Sequence, residues 1–297
     1  MNQHIKYFTN EDMEFVLNEW QKQYHNLLTV TEIGRSYQDR PIWLLTITNK
    51  ESGADLEKPA VWIDGNIHAT EITGTTVAIN IAYELLSGYK EKQDITQLLD
   101  KSVYYILPRM NPDGAALALS DKPRFIRSGI RSYPFEEKEE GLYTEDIDGD
   151  GRILKMRIKD PNGDWQISSL DPRLMEKREP HAQGGTYYRL LDEGSYEDYD
   201  GYIIKEASPL EGLDFNRNFP FEWKTEYTQQ GAGPYPASEP EIRSVVDFIS
   251  RHPNINFALT YHTFSRVLLR PYSTKSDEEM DTADLFVYKK IGEIGSQ

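Results

Sequence analysis

Apolar residues recur along this chain in two rhythms. Between residues 9 and 28, Met13, Val16, Trp20, Tyr24 and Leu27 fall on one stripe at helical spacing. Thr9, followed three residues later by Asp12, gives that helix a capping signal at its start. Residues 28–34 and 41–48 are strand-like. The polar turn 35–40 between them predicts a hairpin. A polar loop, 51–58, leads to Val61, Trp62 and Ile63, a short run typical of a buried strand, which Asp64, Gly65 and Asn66 break. From about Glu71 the rhythm becomes helical again, through Val77, Ala78, Ile81 and Leu85. Residues 103–107 form a second buried strand, closed by a turn cluster at 108–114. A helix between two buried strands implies a crossover connection and a mainly parallel sheet.

Beyond Arg124, Arg127 and Arg131 the periodicity fades. Residues 132–213 are crowded with glycine, acidic residues and tyrosine, and predict an insertion of short strands and loops. Regular structure resumes with a helix from Ser238, the expected cap, and Pro240 in its first turn. Ile242, Val245, Val246 and Ile249 form its apolar face. Residues 255–261 read as a strand ending in His262, residues 267–272 as one more strand, and 283–294 as a last helix. There is no internal repeat. The expected architecture is α/β: a mixed, mainly parallel sheet with helices on both faces, in a single domain spanning 1–297.

Composition narrows the function. Thirty-three basic residues stand against 49 acidic ones, a net charge of −16. That argues against nucleic acid or an anionic membrane surface as partner. Cysteine is absent, which excludes disulfides, thiolate nucleophiles and thiolate metal sites. No apolar run is long enough to cross a membrane, and the first eight residues hold no apolar signal core. As written the chain is expected to be cytoplasmic; an exported protein whose leader had been removed would read the same.

Two groups of residues carry candidate chemistry. Asp146, Asp148 and Asp150, followed by Gly151, match the first half of a calcium loop, with oxygen ligands at alternate positions. The twelfth position is Arg157 where such loops need glutamate, so the alternative is an acidic hairpin turn. The second group is His68-x-x-Glu71, placed just past a strand end where a helix begins, the usual ligand position in open α/β sheets. His262 also ends a strand. If its strand runs parallel to Val61–Ile63, the two histidines and Glu71 share one sheet edge. They then offer three ligands and an open position, a set suited to zinc.

This combination resembles the zinc metallocarboxypeptidases of the carboxypeptidase A and B type. The resemblance covers roughly residues 10–131 and 213–272. In order, it rests on His68-x-x-Glu71, Asn111-Pro-Asp-Gly114, the arginine cluster, Asp214-Phe-Asn-Arg-Asn218, the Ser-Glu-Pro-Glu helix start and the strand ending in His262. The resemblance implies that His68, Glu71 and His262 bind Zn2+ and that Asp214 orients His68. It implies that Asn216 and Arg217 hold the terminal carboxylate of a peptide with a free C-terminus. It also implies that Arg131 or Arg127, with Arg131 preferred, stabilises the oxyanion. Two departures stand out. The insertion is longer than in the digestive enzymes. The family's catalytic glutamate lies further past the last zinc ligand than the 35 residues that follow His262 here. The sequence therefore reads as a domain incomplete at its C-terminus, lacking its general base. Two other functions share these motifs: an aspartoacylase-type zinc amidase, and a catalytically silent module that holds zinc and peptide C-termini.

Overall fold

The structure is a computed structural model that describes residues 6–264 and 266–296; the first five residues of the stretch read for a leader lie outside it. The chain divides into two compact units, 1–262 and 263–297. The first unit opens with helix α1 (Asn10–Gln23), whose Thr9 and Asp12 form a complete capping box. Strands β1 (Leu28–Arg35) and β2 (Pro41–Ile47) pair as the expected hairpin. Strand β3 (Ala60–Gly65) follows, then helices α2 (Thr73–Gly88) and α3 (Gln93–Lys101), and then strand β4 (Val103–Leu107).

Four sequence expectations differ from the structure in α3, α4 and the later helix α5. The pattern did not reveal α3, because Leu99 is its single buried residue and no side chain caps it. The cluster at 108–114 is more than a turn: Pro112–Ala118 is a short helix, α4. Asn111 caps it by accepting from the Gly114 amide at 2.8 Å, and Pro112 takes the first position, where a missing N–H costs nothing. The later helix, α5 (Pro240–Arg251), is capped at Glu239 without a side-chain bond. The Ser238 hydroxyl is occupied elsewhere, donating to Glu239 and accepting from Asn218. On α5, Ile242, Val245 and Phe248 are buried, whereas Ile249 faces outward.

Strand β11 (Ile255–Tyr261) completes a five-stranded sheet in the order β1-β2-β4-β3-β11, antiparallel over the hairpin side and parallel from β4 through β3 to β11. Alternate side chains feed two cores. On one face α1, α2 and α3 cover Leu45, Ile47, Ile63 and Ile106; on the other α5 covers Leu44, Trp62, Tyr105 and Leu107. Phe248 of α5 packs on Tyr105 and Trp62 with ring centroids 5.2 and 5.8 Å away. Burying each such side chain contributes roughly 1.5–3 kcal/mol.

The insertion between α4 and α5 contains six short strands, β5 (Gly141–Thr144), β6 (Lys155–Lys159), β7 (Trp165–Ile167), β8 (Met175–Lys177), β9 (Tyr188–Asp192) and β10 (Gly194–Glu197). They make a two-stranded and a four-stranded antiparallel sheet.

The second unit contains helix α6 (Thr282–Gly295), capped by Asp281, near its expected place. Residues 267–272 are not a strand. Val267 and Leu269 are exposed, and no ladder partner flanks them among the described residues.

The turn from β3 into α2 depends on two glycines. A Cβ on Gly65 would lie 2.7 Å from the carbonyl of Gly74, too close for any side chain. Gly65→Ala is expected to destabilise the chain by about 1–3 kcal/mol, as overpacking does. Urea unfolding of the two proteins measures it; equal midpoints would contradict this account of the turn.

Candidate metal centre

The parallel register decides where the site forms. Thr260 pairs with Asp64 and Tyr261 with Gly65, so His262 leaves β11 beside the point where the chain leaves β3 for His68. The loop that carries His68 is fixed from below. Asn111 donates to the carbonyls of Ile67 and Ser128, and the Ala69 amide donates to the Arg127 carbonyl at 3.0 Å.

His68 is buried and Glu71 nearly so, while His262 is more open. Their ligand atoms converge. His68 Nδ1 and His262 Nδ1 lie 3.1 Å apart, and Glu71 Oε2 lies 3.1 and 2.9 Å from them. Two ring nitrogens facing one another need something between them, a proton or a cation. A tetrahedral ion about 2.1 Å from each donor calls for donors about 3.4 Å apart. The three atoms are set close to that spacing, and the donor set, two imidazoles and one carboxylate, suits zinc.

Charge reinforces the arrangement. His68 Nε2 donates to Asp214 Oδ1 at 3.1 Å, which leaves Nδ1 as the bare, ligand-ready nitrogen. Burial alone would lower the pKa of His68, but bonds to Asp214 and Glu71 outweigh it and the net shift is upward. Burial likewise pushes Glu71 up, and the two histidines overcome it, holding this carboxyl down at about 2. Asp214 is held well below the usual carboxylate range by His68 and Arg127, against the effect of its own burial. Both acids are therefore ionised across ordinary pH.

The structure places the remaining candidates as follows. Asp214 caps a single 3-10 turn, Phe215–Arg217, by accepting from the Asn216 amide. Asn216 and Arg217 are exposed on that turn, and among the described residues the Arg217 guanidinium bonds only to the Asn216 carbonyl. Arg127 Nε donates to Asp214 Oδ2 at 2.9 Å, one residue away from His68 in the hydrogen-bond chain. Arg131 points elsewhere: its Nε and Nη2 grip the buried Glu239 carboxylate at 3.0 and 2.6 Å. In the insertion, Asp146 and Asp148 converge with Glu193, which sequence spacing did not suggest, while Asp150 is not one of that group. Asp146, Asp150 and Glu193 all accept backbone amides within the loop. A cavity of about 690 Å³ lies between Arg124, Phe125 and Ile126 on one side and Tyr143, Arg152 and Leu210 of the insertion on the other.

A family model described as zinc carboxypeptidase matches residues 13–296. The chain belongs to the zinc carboxypeptidase family. Zinc is the cofactor this membership implies, and the His68, Glu71 and His262 group fits it. Similar proteins include carboxypeptidase A6 of Mus musculus, 24% identical over 91% of this chain and 46% of the relative. Carboxypeptidase B of Astacus astacus is 26% identical over 94% of this chain and 68% of the relative. The chain spans about half the length of the mammalian relatives it matches. Among solved structures, thrombin activatable fibrinolysis inhibitor aligns with a TM-score of 0.60 at 20% identity, over 97% of this chain and 55% of that one. Carboxypeptidase A from Helicoverpa armigera aligns with a TM-score of 0.52 at 20% identity, over 89% and 48%. These likenesses show the shared fold, a mixed α/β sheet with a parallel centre. Among the described residues, no helix is long and apolar enough to cross a membrane.

Proposed function

We propose that this chain is the zinc- and substrate-binding part of a metallocarboxypeptidase that acts on the C-terminal bond of peptides with a free terminal carboxylate. The observation that carries the reading is the convergence of two histidine Nδ1 atoms and one carboxylate within 3.1 Å, beside an arginine-bearing segment and an exposed Asn-Arg turn. His68, Glu71 and His262 hold the metal. When bound, zinc polarises a carbonyl and makes water a nucleophile near neutral pH. Asp214 keeps His68 in one tautomer and orientation. Arg217, with Asn216, presents a planar fork to the terminal carboxylate, a geometry that matches two parallel N–H···O bonds. Arg127 stabilises charge on the scissile carbonyl oxygen. Its Nε bond to Asp214 sets it beside the metal ligands, and among the described residues its Nη atoms take no partner. Arg127 suits that role better than Arg131, whose Nε and Nη2 are bonded to Glu239.

The test uses the zinc-loaded chain and one dipeptide in three forms: unblocked, acetylated at the N-terminus, and amidated at the C-terminus. Acetylation is expected to leave binding in place. Amidation, or Arg217→Ala, is expected to weaken it at least about tenfold, the loss of a charge-assisted pair at about 1.4 kcal/mol or more. Calorimetric titration measures this. Equal binding of the acid and the amide would overturn the carboxypeptidase reading and favour the non-peptidase readings.

A further inference from the structure

We propose that Glu239 is the positioning residue that holds Arg127 and Arg217 in register with the metal ligands. This deepens the reading above and rests on it for the role of the two arginines.

Glu239 is almost fully buried at the first turn of α5 and ties down two segments at once. Its carboxylate takes both fork atoms of Arg131, four residues after Arg127 on the same arginine segment. Its amide donates to Asn218 Oδ1 at 3.1 Å, and Asn218 directly follows Arg217. Asn218 is wholly buried and fixed further. Its Nδ2 donates to the carbonyls of Ala232 and Tyr235 and to Ser238 Oγ, and its own carbonyl accepts from the Ala237 amide. Ser238 Oγ closes the loop of bonds onto Glu239 Oε1 at 2.7 Å. The arginine segment is stitched to the other side of the site as well. Tyr133 pairs its backbone with Leu210 and Gly212, just ahead of Asp214, and the Arg131 guanidinium lies over the Tyr133 ring at 5.3 Å.

Stability alone does not account for this pair. Buried ion pairs are poor stabilisers compared with well-packed apolar groups of the same size. This one also lies near a further buried acid, Glu241. What a two-bond fork supplies is fixed geometry. Here that geometry sets how far the arginine segment stands from the Asn216–Arg217 turn, and thus whether one peptide end can meet both arginines. Displacements of about 1 Å in such positioning can cost a hundredfold in rate.

The experiment compares the parent with Glu239→Gln and Arg131→Lys. Gln keeps the shape of the side chain but loses its charge; Lys keeps the charge but loses the fork. Zinc content is measured first and is expected to be unchanged, because His68, Glu71 and His262 bond to neither residue. Affinity for the acetylated dipeptide acid is then expected to fall at least about tenfold in both variants, with the weak binding of the amide unaffected. An independent readout is the nitrogen–proton resonance of Arg127 Nε. It is expected to move towards the position of free guanidinium groups in both variants, with or without peptide. If Glu239→Gln does not fold, Arg131→Lys decides alone. Unchanged peptide affinity with an unmoved Arg127 signal would overturn the proposal. A parent that fails to prefer the acid would instead overturn the carboxypeptidase reading, and the Arg127 signal would still report on Glu239.

Discussion

Replacing His68 with alanine is expected to leave the chain without zinc, where the parent retains about one ion per molecule. Two donors, Glu71 and His262, would remain, and a pair of ligands does not make the closed set that zinc sites use. The same logic grades a second substitution. Asp214→Asn keeps all three donors but weakens the acceptor that fixes the His68 tautomer, so affinity is expected to drop about 10- to 100-fold without loss of the site. Elemental analysis after dialysis, followed by competition with a chelator, measures both. Full zinc in His68→Ala would remove His68 from the site. Equal losses in the two variants would mean that Asp214 acts as more than an orienting partner.

The largest expected effect away from the metal is that of Glu241→Gln on stability. Glu241 is buried, its Oε1 accepts from the Tyr37 amide at 3.0 Å, and its Oε2 has no partner among the described residues. Burial, with Asp113 and Glu239 nearby, pushes its pKa up to about 7, against a bonding contribution from the Tyr37 amide. The folded state therefore holds this proton more tightly than the unfolded state does. Stability from the group is complete below about pH 4.5, declines as pH rises through about 7, and is then gone. Glutamine keeps the acceptor for Tyr37 and cannot ionise. At pH 8 the variant is expected to be more stable than the parent by roughly 3 kcal/mol at most, and at pH 4 the two should be alike. Asp64, also raised by burial, to about 6, contributes a slope of the same sign, but it is common to both proteins and cancels in the difference. Urea unfolding across this pH range provides the measurement. A constant difference at all pH values would show that Glu241 is not protonated in the fold.

Local signals made much of this molecule legible. The stripe through Met13 and Trp20, the strand-like runs of β1 and β2 on either side of a polar turn, and the buried runs of β3 and β4 each depend on neighbours within a few residues. The strand-end positions of His68 and His262 were legible for the same reason. Their meeting followed once β3 and β11 proved parallel. What could not be read depends on partners far along the chain. Arg131 differs from Arg127 only through Glu239, which lies 108 residues later. The cap of α5 moved from Ser238 because Asn218 claims that hydroxyl from 20 residues away. Residues 267–272 carry the apolar run of a strand, but among the described residues they have no neighbour to pair with, and pairing makes a strand. The insertion strands β7 and β8 are three residues long, too short to show any period.

The central claim is that one zinc ion sits among His68, Glu71 and His262. Anomalous scattering from crystals of the zinc-loaded chain, recorded on either side of the zinc edge, tests it most directly. The account predicts a single strong peak between His68 Nδ1, His262 Nδ1 and the Glu71 carboxylate. No peak there, or the strongest peak at another cluster such as Asp146, Asp148 and Glu193, would contradict it.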